Sequence, residues 1–367
     1  MLRRISLKGF KSIKEMDIEL HSLNILIGAN GTGKSNFLSF FRMLNEMMAG
    51  RLQFHISQTG SAQTLLHFGP KITPQMDAQL EFNVDERWAA YSVRLSYASG
   101  NTLVFAEETL SFLPTVYEEV KAVPLWVGHL ETRVGQSAEE EDRATKALRS
   151  LLNRCRVYHF HDTSSTARAR LNSYIGDSRW LLPDAGNLAA VLYRLRNENN
   201  GSAYHPIIAT LRLIAPFFDD FDLAPNGPNK SDITLNWREK ESDQIFGPHQ
   251  LSDGTLRAMC LVTLLMQPVS ELPDLIIVDE PELGLHPYAL NVIAALIKRA
   301  AQHTQVLIST QSSTFLNNFD VDDVIVVNRE GKASRFTRLD STKLETWLEE
   351  YNLGEVWEKN IIGGGPH

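Results

Sequence analysis

A chain of 367 residues is long enough to form one large domain or two ordinary domains with substantial cores. Hydrophobic residues make up 43% of it and charged residues 22%, as in an ordinary globular protein. The net charge of −8 excludes the overall basic character that marks many nucleic-acid and membrane binders, although it leaves room for a local basic face.

Cysteine usage and the N-terminus indicate the compartment. Cys155 and Cys260 are far apart and form no C-x-x-C pair, which argues against a disulfide scaffold or a zinc knuckle and fits a reducing cytosol. Residues 1–8 alternate charged and apolar side chains and lack the apolar core of a signal peptide. No stretch approaches the roughly 18 apolar residues of a membrane span. We therefore predict a cytoplasmic protein without a membrane partner.

Alternation of apolar and polar residues predicts strands in the N-terminal part of the chain. Residues 2–28 give strands, the last of which leads into a helix predicted over 35–48. The alternation returns over 76–112, where Gly100 and Asn101 supply a turn. This second stretch is therefore predicted to be an antiparallel meander.

The predicted strand that ends near residue 28 runs into G-x-x-x-x-G-K-S, the spacing of a phosphate-binding loop followed by a helix. Glycines allow backbone conformations that a Cβ forbids, so the N–H groups of the loop can point at phosphate oxygens, and the positive end of the helix adds to that field. Lys34 is expected to reach the β- and γ-phosphates, and the Ser35 hydroxyl is expected to bind Mg²⁺. The predicted nucleotide-binding residues of the loop are Gly28, Asn30, Gly31, Thr32, Gly33, Lys34 and Ser35.

Paired carboxylates follow another apolar strand, predicted over 274–279. Its four consecutive apolar residues indicate a strand buried on both faces, and Asp279 and Glu280 follow at the carboxyl end, where open α/β sheets bind ligands. Asp279 is predicted to belong to the Mg²⁺ shell, and Glu280 to orient and deprotonate the attacking water. The alternative is a strand followed by a solvated acidic turn.

A polar string, 251–257, precedes an apolar helix predicted over 255–266. Ser252 is a suitable N-cap, and the N–H groups that follow it, together with the helix dipole, make an anion site. Taken alone, this string is better explained as an ordinary helix cap. Its position ahead of the paired carboxylates is more specific.

The combined motifs resemble the ABC-type ATPases of the RecF/SMC/OLD branch. More closely, they resemble a compact, AAA-labelled group of bacterial ATPases without a nuclease domain. The matching segments are 9–12, 28–36, 251–257, 279–287, 309–312 and 353–357. They correspond to a leading strand, the Walker A loop, the signature motif, Walker B with the D-loop, the switch strand and a C-terminal string. In this resemblance Asn36 joins the nucleotide-binding residues.

The resemblance implies a head-to-tail homodimer with two ATP molecules at the interface. Each ATP is expected to lie between the phosphate loop of one protomer and Ser252 and Gly254 of the other. Many such ATPases have His at the switch position, where this chain has Gln311. Glutamine can hydrogen-bond a γ-phosphate or a water but carries no positive charge, so slow turnover is expected. The Q-loop glutamine stays open among Gln53, Gln58 and Gln63.

We predict an α/β fold of the P-loop NTPase class, of ABC-ATPase-head type, with a mixed sheet, an antiparallel β lobe and a mainly helical insertion. Helices are expected over 137–155, 186–197 and 205–215 in the insertion and near 341–351 in the tail. The predicted parts are 1–112 and 246–340 as the halves of the ATPase head, 113–245 as the insertion, and 341–367 as a C-terminal helix and flexible tail.

The predicted function is an ATP-hydrolysing, dimerising switch with ATP and Mg²⁺ as cofactors. The sequence has no long heptad arms and no room after residue 340 for a nuclease domain, so a separate effector, nuclease-like or a toxin, is expected. By analogy with the family, the setting is antiphage defence or DNA maintenance. The alternatives are a transporter motor subunit and a structural ATP-binding module with negligible turnover.

Two features of the insertion leave alternatives open. His159 and His161 would face one side of a strand, which suits either a metal site or a structural pair. A series of basic residues could face DNA or a partner, or could belong to a solvated helix with acidic neighbours. These basic residues are Arg143, Lys146, Arg149, Arg154, Arg156, Arg168, Arg170, Arg194 and Arg196.

Overall fold

The computed structural model describes residues 1–84, 87–113, 120–134, 143–226 and 230–365. The chain forms two compact units. The first unit consists of Met1–Val157 and Asp320–His367, and the second unit of Tyr158–Phe319. The predicted insertion, 113–245, thus contributes to both units, and the division of the chain into four parts stays a prediction.

The N-terminal part of the first unit contains strands that precede and follow a long helix. Its elements are β1 (Leu2–Phe10), β2 (Ile13–Glu19), β3 (Leu23–Ile27), α1 (Lys34–Met48), α2 (Leu52–Gln58), α3 (Ala62–Leu65), β4 (Gln75–Val84), β5 (Arg87–Ala98), β6 (Thr102–Phe112), β7 (Lys121–Pro124), α4 (Arg143–Asn153) and β8 (Cys155–Tyr158), the last of which runs across the boundary between the units.

An antiparallel sheet with the strand order β2-β1-β4-β5-β6-β7 forms the lobe predicted from the alternating pattern. Ile5 and Leu7 of β1 are completely buried and lie opposite Ile18 and Met16 of β2, so one face of the sheet is apolar. Asn101 and the glycine before it, in the turn between β5 and β6, both have positive φ. This conformation is the one that short hairpin turns favour.

The described part of the second unit contains four helices of ten or more residues and two buried parallel strands. Its elements are β9 (Ser173–Tyr174), α5 (Leu188–Asn197), α6 (Tyr204–Ile214), β10 (Phe218–Asp222), β11 (Asp232–Ile233), β12 (Asn236–Glu239), β13 (Ile245–Phe246), α7 (Asp253–Met266), β14 (Leu275–Asp279), α8 (Pro287–Ala300), β15 (Gln305–Thr310) and α9 (Ser313–Leu316).

Strands β14 and β15 are parallel, with Leu275 opposite Gln305 and Asp279 opposite Ser309. Every residue of both strands is buried, as expected for strands that are covered on both faces. Helix α7 packs against α6 and α8. The carboxyl ends of β14 and β15 therefore lie side by side, and the polar residues that follow them are brought together.

The chain then returns to the first unit. The elements of this part are β16 (Val324–Glu330), β17 (Ala333–Arg338), α10 (Glu345–Leu348) and α11 (Leu353–Glu358). Strand β16 is parallel to β3 and antiparallel to β17, which makes a mixed sheet. All five residues of β3 are buried, and α1 starts a few residues after its end.

Two features of the C-terminal part differ from the sequence prediction. Strand β17 was not predicted, because only one of its residues is fully buried and its composition is polar. The single helix expected near 341–351 is instead a four-residue helix followed by α11. Helix α11 starts anew because Asn352 and Glu355 form a capping box. None of the helices in the described ranges is long and apolar enough to cross a membrane.

Candidate functional site

The phosphate loop, residues 28–36, has the backbone that its glycines predict. Gly31 and Gly33 have φ of 79° and 114°, in the region where a Cβ is strained. A Cβ on Gly33 would also overlap the hydroxyl of Ser334, and one on Gly28 would overlap the carbonyl oxygen of Val327. Both glycines are therefore required by close packing within the first unit.

Side chains of Ser12, Arg329 and Ser334 bind the loop through hydrogen bonds. Ser334 donates a hydrogen bond of 2.5 Å to the Thr32 carbonyl, and its Oγ lies 2.7 Å from the Oγ of Ser12. The Asn36 amide donates to the same Ser12 oxygen at 2.7 Å. Asn36, which the resemblance assigns to nucleotide binding, thus also fixes the start of α1. Arg329 donates to the carbonyl of residue 31 at 3.1 Å.

Lys34 carries its charge inside the loop. Its side chain is buried, at 4% exposure, and Nζ donates to the carbonyl oxygens of Gly28 at 2.5 Å and Ala29 at 3.1 Å. The ammonium bonds to two carbonyls of the loop, so its positive charge lies where the loop would bind an anion. Ser35, the next residue, is exposed at the first turn of α1.

The glycine-rich tail contacts the phosphate loop. The carbonyl oxygen of Gly364 accepts a hydrogen bond of 2.8 Å from the Ala29 N–H. Gly364 has a φ of 70°, and a Cβ there would lie 2.8 Å from Cγ1 of Val326. The N–H of Gly365 donates to Oδ1 of Asn360 at 3.1 Å. The tail that the sequence predicts to be flexible therefore makes defined contacts as far as Gly365.

Asp279 ends β14 with a buried carboxylate. It is 8% exposed, and its Oδ1 has no hydrogen-bond partner. A buried acceptor left without a donor is costly, so this oxygen fits a bound cation. Among the described residues, no group of three or more His, Cys, Asp or Glu side chains could hold a metal by itself. The unpartnered oxygen of Asp279 suits Mg²⁺, which is commonly bound by one carboxylate together with phosphate oxygens and waters.

Glu280 and Gln311 are brought together at the ends of β14 and β15. Nε2 of Gln311 donates a short hydrogen bond to Oε1 of Glu280, and the Glu280 N–H donates to the Ser309 carbonyl at 2.8 Å. Glu280 has a φ of 45°, an uncommon conformation for a residue with a side chain. The residues predicted to activate water and to act as the switch thus share a direct contact.

Glu282 also lies at this site, and the sequence analysis assigned it no role. Its Oε1 accepts hydrogen bonds from the Thr310 hydroxyl at 2.5 Å and from the Gln311 N–H at 3.1 Å. Burial raises the pKa of Glu282, and the nearby Glu280 carboxylate raises it further, while the two hydrogen bonds oppose the shift. The available signal was a second carboxylate in the string D-E-P-E.

Ser252 is the N-cap of α7, as the sequence predicts. Its Oγ accepts a hydrogen bond of 3.1 Å from the Thr255 N–H. A Cβ on Gly254 would overlap the carbonyl oxygen of Gly284, so glycine is required where α7 approaches the D-loop. Close packing is therefore one reason for glycine here, and its predicted role in nucleotide binding stays a prediction.

Arg257 joins three segments of the second unit, a role that the sequence analysis missed. Its guanidinium donates to the carbonyls of Phe160, His161 and Leu283 at 3.1, 2.9 and 3.1 Å. Nε2 of His161 donates to the Asp279 carbonyl at 2.9 Å, because a carbonyl oxygen can only accept. His161 therefore serves a structural contact, which favours the structural pair over the metal site.

Two of the arginines considered for DNA contact form hydrogen bonds or ion pairs with other residues of the second unit. Arg170 is buried and donates to the carbonyl of Leu251 and, at 3.1 Å, to Asp253 at the start of α7. Arg194 forms an ion pair of 2.5 Å with Glu271. The side chain of Arg143 lies outside the described residues. A DNA-facing surface thus loses two of the charges on which the hypothesis depended.

The three Q-loop candidates belong to the first unit. Gln53 donates to the carbonyls of Leu103 and Leu130 at 2.9 and 2.8 Å, and Gln63 donates to the Tyr97 hydroxyl at 3.4 Å. Gln58 is exposed. None of these contacts distinguishes a Q-loop residue, so the assignment stays open.

Comparisons with known proteins find two family models that match parts of the chain. A family model described as "AAA ATPase domain" matches residues 1–85. A second, described as "AAA domain, putative AbiEii toxin, Type IV TA system", matches residues 146–317. A curated "Putative ABC transporter ATP-binding protein" of Geobacter sulfurreducens is 32% identical over 87 residues, which are 24% of this chain and 32% of that protein. The match thus spans about a third of that relative's length.

Solved structures of SMC heads share the fold. An SMC head bound to the C-terminal winged-helix domain of ScpA matches with a TM-score of 0.59 and 15% identity over 94% of this chain and 99% of that chain. An SMC head with an extended coiled coil, bound to the C-terminal domain of ScpA derived from Pyrococcus furiosus, matches with a TM-score of 0.59 and 14% identity over 95% and 98%.

The fold class is that of a P-loop ATPase with an SMC-head-like α/β fold that has a mixed sheet and an antiparallel sheet, as predicted. Two AAA-type family models, which match residues 1–85 and 146–317, and the structural likeness to SMC heads support the predicted resemblance to SMC/RecF-type ABC ATPases. The predicted resemblance is thereby confirmed.

Proposed function

We propose that this protein binds ATP with Mg²⁺ and hydrolyses it. The observation that carries the proposal is the direct bond from Gln311 to Glu280, beside an Asp279 carboxylate oxygen that has no partner. A water-activating carboxylate needs an orienting neighbour, and Gln311 supplies one. Asp279 and Ser35 would hold Mg²⁺, which neutralises charge on the phosphates. Lys34 and the N–H groups of the phosphate loop would bind the phosphates.

Steady-state ATPase assays test the proposal with the variant Glu280→Gln. Glutamine keeps the shape of the side chain but cannot take a proton from water, so turnover is expected to fall about 10²- to 10⁴-fold while ATP binding persists. Glu349→Ala, at an exposed site, is the control for loss of a carboxylate. If wild-type turnover does not exceed that of Glu280→Gln, the protein is an ATP-binding module without hydrolysis.

We also propose that ATP drives formation of a homodimer that controls a separate effector. The family description that names a toxin, and the ScpA domains bound to the similar SMC heads, support a partner protein. An antiphage or DNA-maintenance role rests on the same analogy. The loss of hydrolysis in Glu280→Gln should trap the dimer, and Ser252→Arg should prevent it without weakening ATP binding by the monomer. If light scattering gives the same molecular mass with and without ATP, ATP does not drive formation of a dimer.

A transporter motor is the second candidate, because the curated relative is described as an ABC transporter ATP-binding protein. The string at 251–255 is L-S-D-G-T, where transporter motors have L-S-G-G-Q, and this difference weighs against it. Fractionation of cells that express the tagged protein separates the two candidates. Recovery in the membrane fraction, together with an integral membrane protein, would favour the motor.

A further inference from the structure

Glu282 accepts two hydrogen bonds that play no part in the proposed function. It follows Glu280 by two residues, and its side chain points back to the end of β15. There a single carboxylate oxygen, Oε1, accepts both the Thr310 hydroxyl and the backbone N–H of Gln311. The other oxygen, Oε2, is buried and has no partner.

These two hydrogen bonds fix the backbone at Gln311, whose side chain contacts Glu280. Gln311 is the first residue after β15, so no strand pairing determines its orientation. The bond from its N–H to Glu282 supplies that constraint at 3.1 Å. The Thr310 hydroxyl, which donates to Glu282 at 2.5 Å, also accepts the N–H of Ser312 at 3.0 Å. The turn after β15 is therefore organised around one carboxylate oxygen.

The side chain of Gln311 then transmits this orientation to Glu280. Its Nε2 donates to the Glu280 carboxylate, which sits on a backbone with a φ of 45°. A strained backbone persists only where neighbouring contacts determine it. The contacts thus form a continuous chain of hydrogen bonds. Glu282 binds the backbone N–H of Gln311, and the side-chain amide of Gln311 binds Glu280.

We propose that Glu282 is a positioning residue for ATP hydrolysis, which orients Gln311 so that its amide fixes the carboxylate of Glu280. This inference rests on the proposed hydrolysis of ATP. Glu282 takes no proton and touches no reacting atom. Only an acceptor at the position of Oε1 is required, so a neutral amide oxygen can replace the carboxylate.

Kinetics of Glu282→Ala and Glu282→Gln test the inference. Alanine removes the acceptor and frees the turn, so kcat is expected to fall about 10²-fold, the usual effect of a small misplacement, while the KM for ATP changes by less than about twofold. Glutamine keeps an acceptor at Oε1 and should retain kcat within about threefold of wild type. Thr310→Val removes one donor and should lie between the two. Glu349→Ala controls for loss of a charge.

A nuclear magnetic resonance measurement makes the test independent of turnover. In protein labelled with ¹⁵N-glutamine, the side-chain amide of Gln311 is identified by its loss in Gln311→Ala. Glu282→Ala and Glu280→Ala should each shift this resonance, and Glu282→Gln should leave it in place. These spectra also show whether each variant is folded.

The outcomes separate the two proposals. If wild-type protein does not hydrolyse ATP, the proposed function fails, and the spectra still decide whether Glu282 orients Gln311. If Glu282→Ala matches Glu349→Ala in kcat and in the Gln311 resonance, the positioning role is refuted. If Glu282→Gln loses as much kcat as Glu282→Ala, Glu282 acts through its charge, and the inference is equally refuted.

Discussion

The acidic end of β14 in the second unit comprises Asp279, Glu280 and Glu282. It differs from the phosphate loop of the first unit in whether its buried polar atoms have hydrogen-bond partners. In the loop, the carbonyls of residues 28, 29, 31, 32 and 33 all accept hydrogen bonds from the protein. At the acidic end, one carboxylate oxygen of Asp279 and one of Glu282 are buried without a donor. Ser309 Oγ, in the neighbouring strand, is also buried without a partner.

This difference suggests how each region meets its ligand. A loop in which these five carbonyls are bound by other groups of the protein is held in shape before a ligand arrives, which lowers the cost of ordering it on binding. Buried acceptors without donors at the acidic end destabilise the folded protein. A bound cation or a donated hydrogen bond would remove this destabilisation. We therefore expect variants of the loop to change the affinity for ATP. Variants of the acidic end should change both the turnover of ATP and the stability of the folded protein.

The largest effect on the affinity for ATP is expected from Lys34→Ala. Loss of a buried ammonium should remove about 2–3 kcal/mol of charge-assisted binding, which is a roughly 100-fold weaker affinity for ATP. Isothermal titration calorimetry measures it, with Lys14→Ala on the exposed face of β2 as the control. Equal affinities of Lys34→Ala and wild type would mean that the loop is not the nucleotide site.

A tenfold effect is expected from Gly364→Ala. The added Cβ would press on Val326 and move the carbonyl that binds Ala29, so affinity for ATP should fall about 10-fold, or about 1.4 kcal/mol. Gly50→Ala is a matched control, since Gly50 has a φ of 67° and nothing within 4 Å of an added Cβ. Both variants carry the same backbone strain of about 1–2 kcal/mol, so only the contact with the loop differs. Equal losses of affinity in the two would show that the tail contact is irrelevant to binding.

No loss of stability is expected from Asp279→Asn without metal or nucleotide. Removing a buried charge that has an unpaired oxygen should leave the free energy of unfolding unchanged or raise it by about 1 kcal/mol. The stabilisation that Mg²⁺ gives with ATP should disappear in the same variant. Urea unfolding with and without the metal measures both quantities. A loss of several kcal/mol would show that Asp279 is paired within the protein.

The smallest effect is the dependence of stability on pH that Glu282 contributes. Burial raises its pKa in the folded protein above the ordinary value of 4.5, so the folded state binds more protons than the unfolded state across that interval. Its contribution to stability is therefore fully present below pH 4.5 and is lost as the pH rises through the raised pKa. Glu282→Gln should flatten this part of the profile measured by urea unfolding. An unchanged profile would show that the carboxylate is not desolvated.

The local motifs were predictable from the sequence because their signals are contiguous. The phosphate loop, the apolar strand before Asp279 and the N-cap at Ser252 each depend on residues within one short window, and each lies where it was predicted. The contacts of Arg257 and Glu282 were not predictable. Their partners are separated along the chain by about 26 to 97 residues, and no periodicity records such pairs.

The glycine-rich tail shows the same limit. A run of glycines indicates backbone freedom, and the composition alone predicted a flexible end. In the structure that freedom serves the positive φ values of residues 363 and 364, which a larger residue would adopt only under strain. What composition could not show is that the bonding partner, Ala29, lies at the other end of the chain.

The bond between Gly364 and Ala29 has a thermodynamic consequence, because it joins the glycine-rich tail to the loop that we propose binds ATP. If docking of the tail changes the affinity for ATP by some factor, then ATP must change the docking equilibrium of the tail by the same factor. The segment around Gly364 would then report on the nucleotide state. A partner that pulled on them could in turn set the affinity for ATP without touching the nucleotide.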